Sequence, residues 1–288
     1  MSWRDLAAWG LVAMFLVSIA KWLAPDAARP FLRNVALALP MLLLAAKDIA
    51  HAPDAWRRLR SAHAARAPWH TRVTALLPPE LVGMLRLDRL LWVGCVMRLR
   101  RQPAPCALPD GVALTYLERG GYGAATAVVF VSLLFELPVH VLLLNLFVED
   151  AGTLALLHVL GAVAVLYTLA WVLGDRWHIG AGRHVMTDDA LHLRVGARAE
   201  GVLPFAAIVR LEVVDSPLPI WRRRHGVASQ DTLLVTPFDR PNCVLVLGED
   251  ARIDILHWQA QKCLPRYVFL YLDRPELLAA RLRRRDEA

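Results

Sequence analysis

Two long apolar stretches in the middle of the chain constrain its fold more than any other feature. Ala124–Phe147 and Thr153–Leu173 each reach the roughly 20 residues that a helix needs to cross a bilayer core. Only Val148–Gly152 separates them, so we predict an antiparallel transmembrane hairpin with an acidic tip. The chain is 57% hydrophobic and 20% charged, with a mean hydropathy of +0.40. Soluble domains hold about 45–50% apolar and 25% charged residues, so a soluble enzyme, a disordered tail and a fibrous repeat are disfavoured.

Two weaker candidate spans precede this hairpin. Leu6–Leu23 is apolar, with Lys21 close enough to its end for the ammonium group to reach the interface. Asp5 and Lys21 are atypical of a signal peptide, so we interpret this segment as an uncleaved anchor. Phe31–Ala46 contains a proline and is either a second span or a re-entrant or interfacial segment. Residues 1–46 are therefore predicted to form an N-terminal transmembrane hairpin.

The distribution of basic residues predicts the orientation of the chain. Residues 47–123 carry twelve basic and six acidic side chains, and basic residues near span ends mark the cytoplasmic side. We therefore expect a multi-pass protein with this segment and both termini in the cytoplasm. Nearly all the bases are arginine, which is typical of a GC-rich bacterial genome and indicates a bacterial inner membrane. The four cysteines lack metal-type or paired spacing, so reduced thiols are expected and no cofactor is predicted.

The basic segment 47–123 contains an amphipathic pattern. One short helix is predicted over Asp54–Ala65, and a second from Pro79 to about Arg100. Four arginines of the second helix share about a third of its circumference, beside a wide apolar face. This pattern suits a helix lying on an anionic leaflet, although a helix packed on the protein's own soluble domain would also produce it. No recognition motif accompanies the charge, so nucleic-acid binding is not expected. The four arginines are Arg86, Arg89, Arg100 and Arg101.

The pattern changes from helical to alternating after Asp175. Short strands are predicted across residues 174–288, followed by one helix from Asp273 to about Arg284, with Asp273 and Glu276 in capping-box spacing. The predicted fold class is thus a membrane protein: α-helical transmembrane hairpins plus a small all-β sandwich or barrel capped by a C-terminal helix. The domains follow as residues 1–46, 47–123, 124–173 and 174–288. The strands are expected at His184–Met186, Leu191–Val195, Ile208–Val214, Leu233–Val235, Val244–Leu247, Ile253–Leu256 and Tyr267–Leu272.

Part of this β region resembles a known family. The run from His184 to Gly196 (HVMTDDALHLRVG), followed by Val202–Ile208 (VLPFAAI), is similar to the opening of bacterial pleckstrin-homology-like domains. Leu272–Leu278 (LDRPELL) is similar to the end of uncharacterised bacterial membrane proteins of that type. The resemblance implies a binding module beside transmembrane helices, without catalytic residues to carry over. Relatives that bind lipid headgroups do so with bases in the first hairpin turn, where this chain has Asp188 and Asp189.

A second basic cluster lies in a predicted loop of the β region. Trp221 is followed by three arginines, Arg222, Arg223 and Arg224. These side chains could dock on anionic lipid with the tryptophan at headgroup depth. The alternative is a solvated turn whose tryptophan packs on the sandwich.

Three ionisable residues fall inside the predicted central hairpin. Glu136 and His140 are four residues apart and share a helix face. Counted from the outer ends, Glu136, His140 and His158 lie about 18, 12 and 8 Å deep, so the two histidines could meet. Their roles could be hydrogen bonding between the helices, zinc or iron binding, or a proton or ion pathway.

These patterns together favour a membrane-anchored interaction or scaffold protein. Its β domain and basic helix would contact the anionic leaflet and protein partners that the sequence does not identify. The chain could also form a homo-oligomer. The alternative function is an intramembrane metal-dependent enzyme or proton-coupled carrier built on Glu136, His140 and His158.

Overall fold

A computed structural model describes residues 10, 12–17, 19–20, 23–25, 28–104, 108–249, 251, 253–263 and 265–286. These residues fall into two compact units, Met1–Val82 and Gly83–Ala288. Within the first predicted span, Leu6–Leu23, residues 10, 12–17, 19–20 and 23 are described, and all of them are helical.

Two helices of the first unit have bounds within the described residues, α1 (Arg29–Ala64) and α2 (Trp69–Leu76). Arg58 joins them, because its guanidinium donates to the carbonyl oxygens of Ala75 at 3.2 Å and Leu77 at 3.3 Å. Helix α1 is continuous through the boundary predicted between residues 46 and 47. The separate helix predicted over Asp54–Ala65 is therefore wrong, because the chain stays helical through Pro53 and Asp54.

The second unit begins within α3 (Pro79–Leu99), which has the predicted extent, and contains a long helical hairpin. The hairpin consists of α4 (Tyr122–Phe147) and α5 (Ala151–Ile179), and α4 is continuous through Pro138. At the tip, the Asp150 carboxylate caps α5 by accepting from the Thr153 N–H at 2.7 Å, and this bond lowers the pKa of Asp150. Both helices are long and apolar enough to cross a membrane by length and composition.

Two sheets form a β domain, as predicted in outline. The first sheet has the strand order β1-β2-β3-β4-β8-β9 and is antiparallel throughout. The second has the order β5-β7-β10-β6, with β6 parallel to β10. The strands are β1 (Val112–Thr115), β2 (Arg183–Met186), β3 (Ala190–Val195), β4 (Ala199–Pro204), β5 (Ile208–Val213), β6 (Thr232–Val235), β7 (Cys243–Leu247), β8 (Asp254–His257), β9 (Ala260–Cys263) and β10 (Tyr267–Leu270).

The main core lies between these sheets and follows the alternation of the strands. In β7, Cys243, Leu245 and Leu247 belong to this core, whereas Val244 belongs to a smaller cluster with Trp221. Burial raises the pKa of the Cys243 thiol to about 12. The core is completed by α7 (Pro275–Asp286), which contributes Leu278 and Leu282.

The hairpin interrupts the first sheet. Strand β1 precedes α4 and β2 follows α5, yet the two pair antiparallel, with Leu114 opposite His184. The β domain is therefore discontinuous in sequence, which corrects the predicted boundary at residue 174. The start of α4 and the end of α5 therefore lie at the same end of the helix pair, because both lead into one sheet.

The sequence patterns also missed β4, β9 and α6 (Leu218–His225), and they misassigned one cap. Asp273 was expected to cap the last helix. Instead its carboxylate accepts from the backbone N–H groups of Glu118 at 3.0 Å and Arg119 at 2.9 Å. This residue therefore fastens the segment between β1 and α4 to the end of β10.

Candidate membrane-contact site

Two glycines let the backbone of helix α3 pack closely against the backbones of neighbouring elements. A Cβ atom on Gly174 of α5 would lie 1.9 Å from the Leu91 carbonyl oxygen, and one on Gly83 would lie 2.5 Å from the Trp258 carbonyl oxygen. Leu87 and Leu91 are fully buried on this face of α3. One side of α3 is thus fixed against α5 and the β8–β9 turn.

The opposite side of α3 carries an apolar stripe that the described residues leave substantially exposed. Its four members fall within about 60° of the helix circumference at 100° per residue. A helix that faced water on this side would carry polar residues here, so the exposed stripe indicates a contact surface. The members are Leu85, Trp92, Val96 and Leu99, with exposed fractions of 56%, 42%, 41% and 69%.

Basic side chains border one edge of this apolar stripe. Arg86 and Arg89 are exposed on the helix, and Arg100 and Arg101 are exposed just beyond its end at Leu99. None of these four guanidinium groups has an ion-pair or hydrogen-bond partner within the described part of the chain. The predicted basic cluster is therefore free to bind anions beside an apolar surface.

Polar contacts from α5 fix the level of the stripe along the hairpin. Asp88 of α3 accepts hydrogen bonds from the Tyr167 hydroxyl and from the Trp171 indole N–H, the latter at 2.8 Å. The Trp92 ring lies 5.9 Å from the Tyr167 ring, measured between centroids. These aromatic side chains place the stripe beside the last turns of α5, where the apolar run of the hairpin ends.

A buried ion pair fastens the base of the hairpin to the β domain; we call Tyr122, Asp175, Arg198 and Phe238 the junction. Arg198 follows β3 and binds Asp175 of α5 with two of its nitrogens, one at 2.8 Å. The Tyr122 hydroxyl donates to the same carboxylate at 2.9 Å. The guanidinium also lies 4.4 Å from the Phe238 ring centroid and donates to the Pro237 carbonyl. Tyr122 of α4 and Asp175 of α5 are thus joined to each other and to Arg198 of the β domain.

The structure brings His140 and His158 together across the hairpin, at 6.2 Å between ring centroids. The His140 Nε2 atom lies 3.4 Å from the Leu157 carbonyl oxygen. Glu136 does not join them: it is exposed, and it makes no hydrogen bond or ion pair with any described residue. Across the described ranges, no three His, Cys, Asp or Glu residues are placed to hold a metal ion. The geometry therefore gives no support to zinc or iron binding, which was one of the three roles considered for these residues.

Of the two alternatives for Trp221, the structure agrees with packing on the sandwich and not with contact with lipid. The tryptophan side chain is 2% exposed, because α6 lays it on the outer face of the second sheet against Val244 and Phe269. The arginines that follow are partly engaged: Arg222 donates to the Ser229 hydroxyl, and Arg224 lies 3.3 Å from Asp215. Arg223 is exposed.

Buried histidine also occurs in the β domain, where it has a structural role. His184 of β2 is fully buried, and its Nδ1 atom accepts from the Arg194 N–H at 3.0 Å. Burial disfavours the charged ring and lowers the pKa of His184 to about 3. The Tyr116 ring packs 4.9 Å from it, and burial raises the pKa of that tyrosine.

Sequence patterns did not single out Asp88, Asp175 or Arg198. Asp175 had one available signal, because it is an acidic residue directly at the end of an apolar run. Asp88 had none, since it lies inside an amphipathic pattern.

Comparison of the chain with protein-family models, curated proteins and solved structures returns no match.

Proposed function

We propose that this chain is a membrane-anchored interaction protein whose α4–α5 hairpin crosses the bilayer. The most apolar 18-residue stretches of α4 and α5 are 0% and 6% buried. A core helix of a soluble protein would be mostly buried, and a signal sequence would lie near the N-terminus. Exposed apolar surface of this extent needs lipid or another apolar partner to cover it.

The observation that carries the function is the apolar stripe of α3 with unpaired arginines along one edge. An in-plane helix buries an apolar face at the headgroup boundary and pairs its bases with anionic lipid. Each base near an anionic surface contributes about 1 kcal/mol, and salt screens the attraction. The aromatic side chains of Trp92, Tyr167 and Trp171 have the chemistry that is enriched at this depth.

The β domain is proposed to be the interaction module. Its two packed sheets and its C-terminal helix are compatible with a pleckstrin-homology-like domain, although β1 reaches it from before the hairpin. Asp188 and Asp189 occupy the β2–β3 turn, and Asp189 bonds to the Thr187 hydroxyl at 2.7 Å. Arg281 lies 3.4 Å from the Asp188 carboxylate and partly offsets its charge, but the turn presents no free base to an anionic headgroup, so we assign this surface to protein partners. The twelve bases of residues 47–123 support a cytoplasmic position at a bacterial inner membrane.

A spin label on α3 tests the proposed function in the full chain. Leu85→Cys carries the label in nanodiscs with or without anionic lipid, and the unsubstituted chain supplies the background from native cysteines. We expect the label to be shielded from an aqueous relaxation agent and accessible to oxygen. Adding Arg86→Gln and Arg89→Gln should weaken this shielding, most strongly at low salt.

Two comparisons make the spin-label result decisive. Arg283→Gln with Arg284→Gln removes the same charge from exposed positions on α7 and should leave the label shielded. A label at Val209, which is 57% exposed on β5, should report water. Equal aqueous accessibility at Leu85 and Val209 would show that α3 does not lie in the membrane.

A further inference from the structure

A small, mainly apolar cavity with a few polar groups opens between the two helices of the hairpin. Its volume is about 180 Å³. The lining residues are Leu133, Glu136, Leu137 and His140 of α4 and Gly161, Ala164, Val165 and Thr168 of α5. A Cβ atom on Gly161 would lie 2.5 Å from the His140 Nε2 atom, so the imidazole occupies the space above this glycine. Polar groups thus meet small residues on one face of an otherwise apolar helix pair.

Two hydrogen-bonding groups on this face are left without described partners. When the His140 Nε2–H donates to the Leu157 carbonyl oxygen, the Nδ1 atom is an acceptor. Glu136 has no partner within the described ranges, and its protonated carboxyl is a donor. A carboxyl group without a hydrogen-bond partner is costly among lipid chains. The face therefore presents a carboxyl group and an imidazole nitrogen about one helical turn apart along α4.

We infer that a second copy of this chain covers this face. A two-fold axis along the hairpin brings identical residues to the same depth, so Glu136 of each copy lies about 6 Å, slightly more than one helical turn, from His140 of the other copy along that axis. Two reciprocal hydrogen bonds then satisfy both groups. Between Tyr122 and Asp175 the chain contains no lysine or arginine, so histidine is its complement for this carboxyl. Gly161 and Ala164 permit the close approach that membrane helices use.

The symmetric contact rests on the proposed crossing of the bilayer by α4 and α5. Disulfide trapping in native membranes tests this contact. Ser132 lies about 40° from Glu136 around α4, and Leu134 lies about 160° away; both are exposed. Under mild oxidation, Ser132→Cys should give at least tenfold more covalent dimer than the matched control Leu134→Cys. The unsubstituted chain supplies the background from native cysteines.

Substitutions at Glu136 separate hydrogen bonding from simple apolar packing. In the Ser132→Cys chain, Glu136→Leu should reduce the dimer about tenfold. Glu136→Gln should retain it, because an amide N–H can donate to the imidazole. Equal trapping at positions 132 and 134, or no effect of Glu136→Leu, would overturn the symmetric contact. Adducts of Ser132→Cys with a different protein would also count against a second copy.

Carbonate extraction of the same membranes keeps the two proposals apart. A chain that leaves the membrane in carbonate contradicts the proposed anchor. A chain that stays in the membrane, with its α3 label shielded, but traps only as a monomer contradicts the second copy alone.

Discussion

Breaking the ion pair at the junction tests how the hairpin is held on the β domain. Asp175 and Arg198 are 7% and 8% exposed, so removal of either side chain leaves a buried charge without its partner. Such a loss costs about 3–5 kcal/mol, out of a total stability of about 5–15 kcal/mol for a typical domain. We therefore expect Asp175→Asn and Arg198→Met each to lower the unfolding temperature of the detergent-solubilised chain strongly.

The double variant gives the sharper result. Asn at position 175 still accepts a hydrogen bond from the Tyr122 hydroxyl, and the two substitutions together leave no unpaired charge. The double variant should therefore be more stable than the less stable single variant, with a coupling energy of about 2 kcal/mol or more, within the range seen for contacting residues. Chemical denaturation, followed by the circular dichroism signal of the β-sheets, gives the free energy of unfolding of the parent chain, the two single variants and the double variant.

A surface ion pair in the same domain is the matched control. Arg266 and Glu249 lie 3.1 Å apart, but their side chains are 53% and 78% exposed. The same cycle of substitutions there should give a coupling of about 0–1 kcal/mol. Equal coupling in the two cycles, or a parent-like stability of both junction single variants, would refute the reasoning about burial.

Two further predictions concern stability. Burial lowers the pKa of His184 from 6.5 in the unfolded chain to about 3 in the folded chain. Between these two values the unfolded chain binds more protons, so the free energy of unfolding declines as the pH falls. From pH 6.5 to 5 the free energy of unfolding should decrease by about 2 kcal/mol. His184→Asn keeps an acceptor for the Arg194 N–H but does not titrate, so denaturation at pH 6.5 and 5 should show no such decrease for this variant. The same decrease in the variant as in the parent chain would contradict the prediction. Gly174→Val drives a side chain into the Leu91 backbone and should lower the unfolding temperature by several degrees, whereas Gly123→Ala, with open space around it, should not; similar melting of the two variants would show that α3 tolerates displacement.

The parts of the fold that depend on local pattern could be predicted from the sequence. The apolar lengths of α4 and α5 and the alternation in β3 and β7 are each visible in a short window. Strand β1 could not be found in this way. It has four residues, follows a loop rich in proline and glycine, and pairs with a strand beyond the hairpin.

The candidate site was predictable only in part. The basic edge of α3 follows from helical periodicity, but its buried side depends on Gly83 and Gly174, whose close contacts no local pattern reports. Trp221 shows the converse limit. A tryptophan before three arginines suits a lipid surface, yet the neighbouring sheet supplies a pocket of Val244 and Phe269 that buries it.

The insertion of the hairpin between two paired strands also constrains how the chain is made. Thr115 must wait for Arg183, its partner 68 positions later, before the first sheet can begin to form. In the proposed topology, the ribosome delivers both crossings and the return to the starting side during that interval. A nascent chain whose second crossing fails leaves β1 and β2 in different compartments, and its unpaired edges become targets for proteolysis. In that topology, the first sheet can be completed only after both crossings have succeeded.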